Sequence, residues 1–135
     1  MKTFLDKFKF DNKGLIPVVV QDIQDNTVLM LAYMNNLAMY KTLQTKQATF
    51  WSRSRNKLWV KGEQSGNIQE VKEFYYDCDN DCILIKVKQT GLGAACHTGY
   101  RSCFFSKVNL LKIHENEKII SEIVGKKIFE PNKVY

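Results

Sequence analysis

The sequence of 135 residues is poor in the features that divide a chain or carry it into a membrane. It has two prolines and no stretch rich in serine and glycine, so we expect no linker and no domain boundary before about residue 106. Its longest apolar stretch, residues 28–34, is far shorter than the roughly 20 residues that span a bilayer. Residues 1–6 contain charges and no apolar segment, so we expect no signal peptide and a cytoplasmic location.

Cysteine is also scarce, with four residues, but three of them lie in polar surroundings. Cys78 is flanked by carboxylates, and Cys96 and Cys103 frame a loop with a histidine, hydroxyls and an arginine. Four cysteines form two disulfides in many secreted proteins, whereas clustered Cys and His in a cytosolic chain more often bind metal or do chemistry. Three thiolates leave zinc with the open position that catalysis requires. The three cysteines are therefore predicted to bind one zinc ion, although the six residues between the last two are not a common zinc-finger spacing.

A second candidate metal site surrounds Cys78. Asp77, Asp79 and Asp81 alternate along the chain, so their carboxylates share one face wherever this segment is extended. Carboxylates favour Mg²⁺ or Ca²⁺ and thiolates favour zinc, so the segment can serve two adjacent metal sites. A turn with solvated acids is the alternative, because Asp and Asn are common in turns.

The formal net charge of +6 is unevenly distributed. Residues 1–67 contain 10 Lys and Arg against 5 Asp and Glu, a net of +5, whereas residues 68–135 contain 10 against 9, a net of +1. The surplus is densest over residues 51–61, which hold four cations, two tryptophans and no acid. Such a segment is compatible with nucleic acid, a small phosphorylated ligand or a solvated basic turn.

The hydrophobic pattern predicts a single α+β domain, rich in strands, with one or two helices. One helix is expected from Asn35 or Asn36 to about Lys46, with Leu37, Met39, Tyr40 and Leu43 on its apolar face. The apolar spacing of residues 119–128 predicts a second helix in the Lys- and Glu-rich tail. Strands are predicted over residues 15–22, 27–34, 48–52, 58–61, 69–76, 82–89 and 103–108.

Several separate motifs occur in one order along the chain. They are Asp-Cys-Asp-Asn-Asp at 77–81, Ala-Cys-His-Thr-Gly at 95–99 and Ser-Cys-Phe at 102–104, preceded by the segments 28–35, 50–55, 58–59, 61–63 and 65–67. Together they resemble phosphoribosyl-AMP cyclohydrolase, an enzyme family of histidine biosynthesis. The resemblance covers about residues 14–105.

The resemblance implies a role for each motif. It assigns the zinc ligands to Cys78, Cys96 and Cys103, and the magnesium ligands to Asp77, Asp79 and Asp81. It further implies an intertwined homodimer in which two subunits share each zinc site. Residues 1–105 would form the cyclohydrolase domain, and residues 106–135 a helical extension packed on it. Cys82 stands where the family usually has a small residue, and we expect it to be a packed apolar side chain.

The implied reaction opens the adenine ring of 1-(5-phosphoribosyl)-AMP at its N1–C6 bond with a zinc-activated water, the third step of histidine biosynthesis. His97 is the candidate general base; a ligand role or no role are the alternatives. The basic surplus then serves a small substrate with two phosphates, and neither nucleic acid nor a membrane is expected as a partner. Substrate contacts are predicted at Trp51, Arg53, Arg55, Lys61, Glu63, Ser65, Gly66 and Asn67. The tryptophans can equally be core residues.

Three rival functions make different demands on the sequence and on experiment. Zinc deaminases carry His/Cys-x-Glu followed by Pro-Cys-x-x-Cys, and the sequence contains neither. A zinc-stabilised nucleic-acid-binding module would bind nucleic acid with an affinity that falls steeply as the salt concentration rises. A structural zinc protein would unfold on chelation rather than only lose activity.

Overall fold

The computed structural model describes residues 1–113 and 118–133. Within them a four-stranded sheet runs in the order β2-β1-β6-β5, and β3–β4 and β7–β8 form two separate hairpins. This is the strand-rich α+β domain that the sequence predicts. The elements are α1 (Lys2–Leu5), β1 (Ile16–Asp22), β2 (Val28–Met34), α2 (Asn36–Thr45), β3 (Thr49–Ser52), β4 (Lys57–Val60), β5 (Gln69–Tyr76), β6 (Ile83–Gln89), β7 (Ser106–Val108) and β8 (Ser121–Ile123), with short 3₁₀ turns at Leu110–Lys112 and Pro131–Lys133.

The centre of the sheet is the parallel pair β1 and β6, whose registers run from Val18 opposite Ile83 to Asp22 opposite Val87. Alternate residues of both strands are fully buried, because successive side chains point to opposite faces. β2 and β5 flank this pair in antiparallel orientation. The turn 77–82 therefore lies at the start of β6, and the loop 90–105 follows its end.

Helix α2 begins where expected, because the Asn35 side chain accepts a hydrogen bond from the Ala38 amide at 2.8 Å. Its buried face matches the expected one in part: Met39 is buried and Leu43 packs against the core. Leu37 and Tyr40 are exposed instead, and Ala38 and Thr42 are buried. The Thr42 hydroxyl donates to the Ala38 carbonyl and accepts from the Thr49 amide, at 2.9 and 3.0 Å. These bonds attach the helix to β3 and satisfy a buried hydroxyl.

Helix α1, for which the sequence carries no clear signal, buttresses the acidic turn. Phe4 and Phe8 pack edge-on against Tyr76, at centroid distances of 6.1 and 5.3 Å. The Lys9 amide donates to the Asn80 carbonyl at 2.8 Å. The N-terminal segment thus braces the turn that carries Cys78.

The prediction of a helix in the C-terminal tail is wrong for the residues that the structure describes. Residues 121–123 form β8, which pairs with β7 from Ser106 opposite Ile123 to Val108 opposite Ser121. The run of β-branched residues around it favours extended backbone. Gly125, with a φ of 84°, would also weaken a helix through this region. Residues 114–117, a further part of the tail, lie outside the described residues.

The tail lies against the domain. The Ile128 amide donates to the Gly99 carbonyl at 2.6 Å, and Phe129 is buried. The tail therefore touches the loop that carries Cys96. The division at residue 105 stays a prediction.

None of the helices in the described ranges is both long and apolar enough to cross a membrane.

Candidate active site

The three aspartates of the acidic turn come together. Ligand oxygens of Asp77, Asp79 and Asp81 all lie within 4.8 Å of one another, and all three side chains are exposed. The turn is closed by Asp77 Oδ1, which accepts hydrogen bonds from the amides of Asp81 and Cys82 at 2.9 and 3.1 Å. Asn80 takes the left-handed conformation, with a φ of 63°, that the reversal needs.

This clustering is electrostatically unfavourable for three separate carboxylates. Hydrogen bonding with Asp79 and Asp77, together with their charge, raises the pKa of Asp81 to about 6. A hard divalent cation with oxygen ligands would relieve the same repulsion. The donor set of the turn therefore fits Mg²⁺.

Cys96 and Cys103 meet within one loop. The amides of Ala95 and Cys96 donate to the carbonyls of Arg101 and Tyr100, at 3.0 and 3.1 Å, and fold the loop onto itself. The two thiols then lie close enough to interact electrostatically. The Cys103 amide donates to the Leu29 carbonyl at 2.8 Å, which docks the loop on the edge of β2.

A hydroxyl group lies against this thiol pair. The Cys96 sulfur lies 2.8 Å from the Thr98 hydroxyl oxygen. Desolvation, followed by the neighbouring Cys96 thiol, raises the pKa of Cys103 to about 12. A metal ion must displace that proton, and zinc does so readily because it prefers soft thiolate ligands. The pair therefore fits zinc as two of its ligands.

Arg101 attaches the cysteine loop to the β1–β2 turn. Its guanidinium lies 2.9 Å from an Asp25 carboxylate oxygen and 3.3 Å from one of Asp22. The hydrogen bond from Arg101 holds the pKa of Asp25 well below its usual range. The C-terminal part of the loop is thus fixed by the ion pairs of Arg101 and by the bond of Cys103 to β2.

Cys78 does not join this pair within one chain. It lies in the turn between β5 and β6, whereas Cys103 docks on β2 at the opposite edge of the sheet. The turn joins β6 and β5, which are two to three strand spacings, or about 10–14 Å, from β2. The group of three potential ligands found in the described residues contains no cysteine. Zinc–sulfur bonds are about 2.3 Å long, so one zinc ion cannot reach all three sulfurs of one chain.

A cleft of about 810 Å³ opens beside the thiol pair. It is bordered by β2, the β3–β4 hairpin with the residues that follow it, and the cysteine loop. The guanidinium of Arg53 lies 4.0 Å from the ring centroid of Tyr33, so the arginine is held over the cleft wall. The sequence-derived candidates that line the cleft are Trp51, Arg53, Arg55, Lys61, Glu63, Ser65, His97 and Cys103.

Two candidate substrate residues lie elsewhere, outside the cleft lining. Asn67 is buried, and its side-chain oxygen accepts from the Leu92 amide at 2.8 Å. Gly66 is exposed in a turn, with a φ of 79°. Both hold the shape of the 62–67 loop, and their contact with a substrate stays a prediction.

Sequence reasoning missed two neighbours of the site. Tyr33, under Arg53, is an ordinary strand residue, and nothing local indicates the pairing. Thr98 carries a signal that could have been used, since a hydroxyl two residues after a ligand cysteine can reach the sulfur.

Known proteins that are similar to this chain belong to the family that its motifs resemble. The family model of phosphoribosyl-AMP cyclohydrolase matches residues 30–105. A protein of that name from Chlorobium phaeovibrioides is 50% identical over 99% of this chain and 91% of its own length. The Desulfotalea psychrophila and Trichormus variabilis proteins of the same name are 52% and 57% identical, over 90% and 78% of this chain and 89% and 90% of their own lengths.

Proposed function

Since this chain belongs to the phosphoribosyl-AMP cyclohydrolase family, we propose that it opens the adenine ring of 1-(5-phosphoribosyl)-AMP in histidine biosynthesis. The observation that carries the proposal is the cleft, which brings His97 and Cys103 together with Arg53 and Arg55. A substrate with a reactive base and two phosphates needs such a combination of proton-transfer, metal-ligating and anion-binding groups.

The metal ligands follow from donor chemistry. Cys96 and Cys103, with Cys78 of the partner subunit, would hold zinc, and the aspartates of the 77–81 turn would hold Mg²⁺. Zinc in such a site supplies the Lewis acidity that makes a water molecule nucleophilic near neutral pH. With Mg²⁺ bound, the 77–81 turn would hold a substrate phosphate, because this ion commonly binds phosphates.

The chain's own residues handle the protons and orient the substrate. Water adds its oxygen to C6, which is electrophilic because N1 carries the second phosphoribosyl group. The N1–C6 bond then breaks, N1 gains a proton, and C6 becomes a carboxamide carbon. His97, exposed on the cleft wall, is the group that takes the water proton and returns it to N1.

The hairpin would recognise the ends of the substrate. Arg53 and Arg55 are exposed at the cleft and offer forked donors to a phosphate. Trp51 lines the cleft and can stack on the base. Trp59 is half-buried and packs on Phe50 at a centroid distance of 5.3 Å, which favours a packing role.

A homodimer would complete each zinc site. Within one chain only two of the three thiols meet, and Cys78 remains exposed on the far side of the sheet. Exposed apolar side chains support a protein–protein contact; those on β2, in the cysteine loop and in the tail include Val28, Leu31, Phe104, Val108, Ile119, Ile120 and Ile123. A symmetric pair would supply each site with Cys78 of the partner subunit. Ligation by reduced thiols is consistent with a cytoplasmic enzyme.

The test is turnover. Purified protein with Zn²⁺ and Mg²⁺ is mixed with 1-(5-phosphoribosyl)-AMP, and the ring-opened product is followed by absorbance. His97→Ala should lower kcat by about a hundredfold or more while zinc content is unchanged. Absence of product from folded, metal-loaded protein would disprove the activity. Near-normal turnover of His97→Ala would remove only that residue's role.

A further inference from the structure

Lys61, directly after β4, is unusually buried. Its exposed fraction is 6%, whereas lysines are almost never fully buried without a partner. None of the ion pairs found in residues 1–113 and 118–133 involves it. The neighbours that compensate its charge must therefore be of another kind.

The ammonium group is directed to the cysteine loop. Lys61 Nζ donates a hydrogen bond to the carbonyl of Ala95, the residue before Cys96. Ala95 is itself buried, at 1% exposure, and its amide is bonded to the Arg101 carbonyl at 3.0 Å. The lysine thus restrains the backbone from which the Cys96 side chain projects.

The same ammonium lies within electrostatic reach of both the Cys103 and the Cys96 sulfur. Its positive charge opposes the upward shift in the pKa of the Cys103 thiol. Neither Arg53 nor Arg55 is placed in this way, since both are exposed on the hairpin. Lys61 therefore differs from the other cations of the basic segment, with which sequence reasoning grouped it as a phosphate contact.

We propose that Lys61 is a positioning residue of the zinc site, fixing the Ala95 carbonyl and offsetting the negative charge of the Cys96 and Cys103 thiolates. This inference rests on the zinc site of the proposed function and adds a determinant of its affinity. A group that orients or charge-balances metal ligands typically changes metal affinity by about 10- to 100-fold.

The experiment measures zinc affinity of the full-length protein by competition with a chromophoric chelator, without substrate. Lys61→Met keeps the aliphatic stem and removes the ammonium, so zinc affinity should fall by about 10-fold or more. Lys57→Met removes the same charge from an exposed position of β4 and should leave the affinity unchanged. Lys61→Gln keeps a donor for Ala95 without the charge, and its affinity should lie between those of wild type and Lys61→Met.

The outcomes separate the alternatives. Circular dichroism and the denaturation midpoint of each zinc-free variant show whether a loss of affinity is only a loss of fold; if Lys61→Met is unfolded, Lys61→Gln decides. Wild-type zinc affinity in a folded Lys61 variant, with a raised KM alone, would make Lys61 a substrate contact and overturn the inference. Failure of the wild-type protein to bind zinc would instead overturn the zinc site itself.

Discussion

At the scale of single residues, the surroundings of each sulfur distinguish the four cysteines. Cys96 and Cys103 share a loop and lie near an ammonium group, and Cys78 is exposed beside carboxylates. The Cys82 thiol is half-buried at the start of β6 and faces the Ile83 carbonyl at 3.8 Å. Desolvation and then the charge of Asp77 raise the pKa of Cys82. Its partial burial and its contact with a backbone carbonyl favour a packed thiol over a metal ligand.

Replacing single cysteines should therefore sort ligands from bystanders. Cys82→Ser should retain zinc after dialysis, whereas Cys78→Ser, Cys96→Ser and Cys103→Ser should each lose most of it, because each removes a ligand. Metal analysis of the four purified variants measures this directly. Loss of zinc from a folded Cys82→Ser variant would contradict the assignment.

The chemistry of these residues was predictable, but the placement of several was not. Residue type and order marked the thiols, the aspartates and His97 as candidates. The burial of Lys61 depends on Ala95, 34 residues later, and that of Asn67 on Leu92, 25 residues later. Contacts between residues so far apart in sequence produce no periodic hydrophobic pattern. The sequence therefore did not distinguish either residue from its exposed neighbours.

At the scale of elements, the hydrophobic pattern predicted strands correctly where one face of the strand is buried against the core. Burial alternates along both β1 and β6. In β6 the sequence shows this alternation, with Ile85 and Val87 buried and Lys86 and Lys88 not. It failed in the tail, where β8 is fully exposed and no burial selects a period. There the spacing of Ile119, Ile123 and neighbouring residues imitates a helical face, although their β-branching favours a strand.

The tail's contact with the cysteine loop can be tested at Gly99. Gly99 has a φ of 101°, and a Cβ there would overlap the Phe129 carbonyl oxygen. Gly99→Ala should therefore lower the free energy of unfolding by more than the roughly 1–3 kcal/mol expected for an unfavourable backbone conformation alone. Urea denaturation at a fixed protein concentration measures it.

Gly93 provides a matched control. It also has a positive φ, of 84°, but a Cβ there would meet nothing within 4 Å. Gly93→Ala should show the conformational cost without the overlap. Equal destabilisation by both substitutions would mean that the tail does not press on the loop.

At the scale of the whole molecule, sheet topology governs how a zinc site can be assembled. β6 separates the acidic turn from the cysteine loop along the chain, and the order β2-β1-β6-β5 separates them across the sheet. On the proposed ligand set, a single copy would carry two incomplete parts of the site, each suited to complete the matching part of a second copy. Such reciprocal completion is what a two-fold symmetric dimer provides.

Mixing two inactive variants tests this arrangement. Cys78→Ser retains the Cys96 and Cys103 pair, and Cys103→Ser retains Cys78, so a mixed dimer contains one complete site and one that lacks two ligands. After unfolding together and refolding at equal concentrations, about half of the dimers are mixed and each has one of two sites intact, so about one quarter of wild-type activity and zinc should return. The two variants refolded separately and then combined without exchange are the control. Recovery no greater than in that control would mean that the site does not join Cys78 of one chain to Cys103 of another.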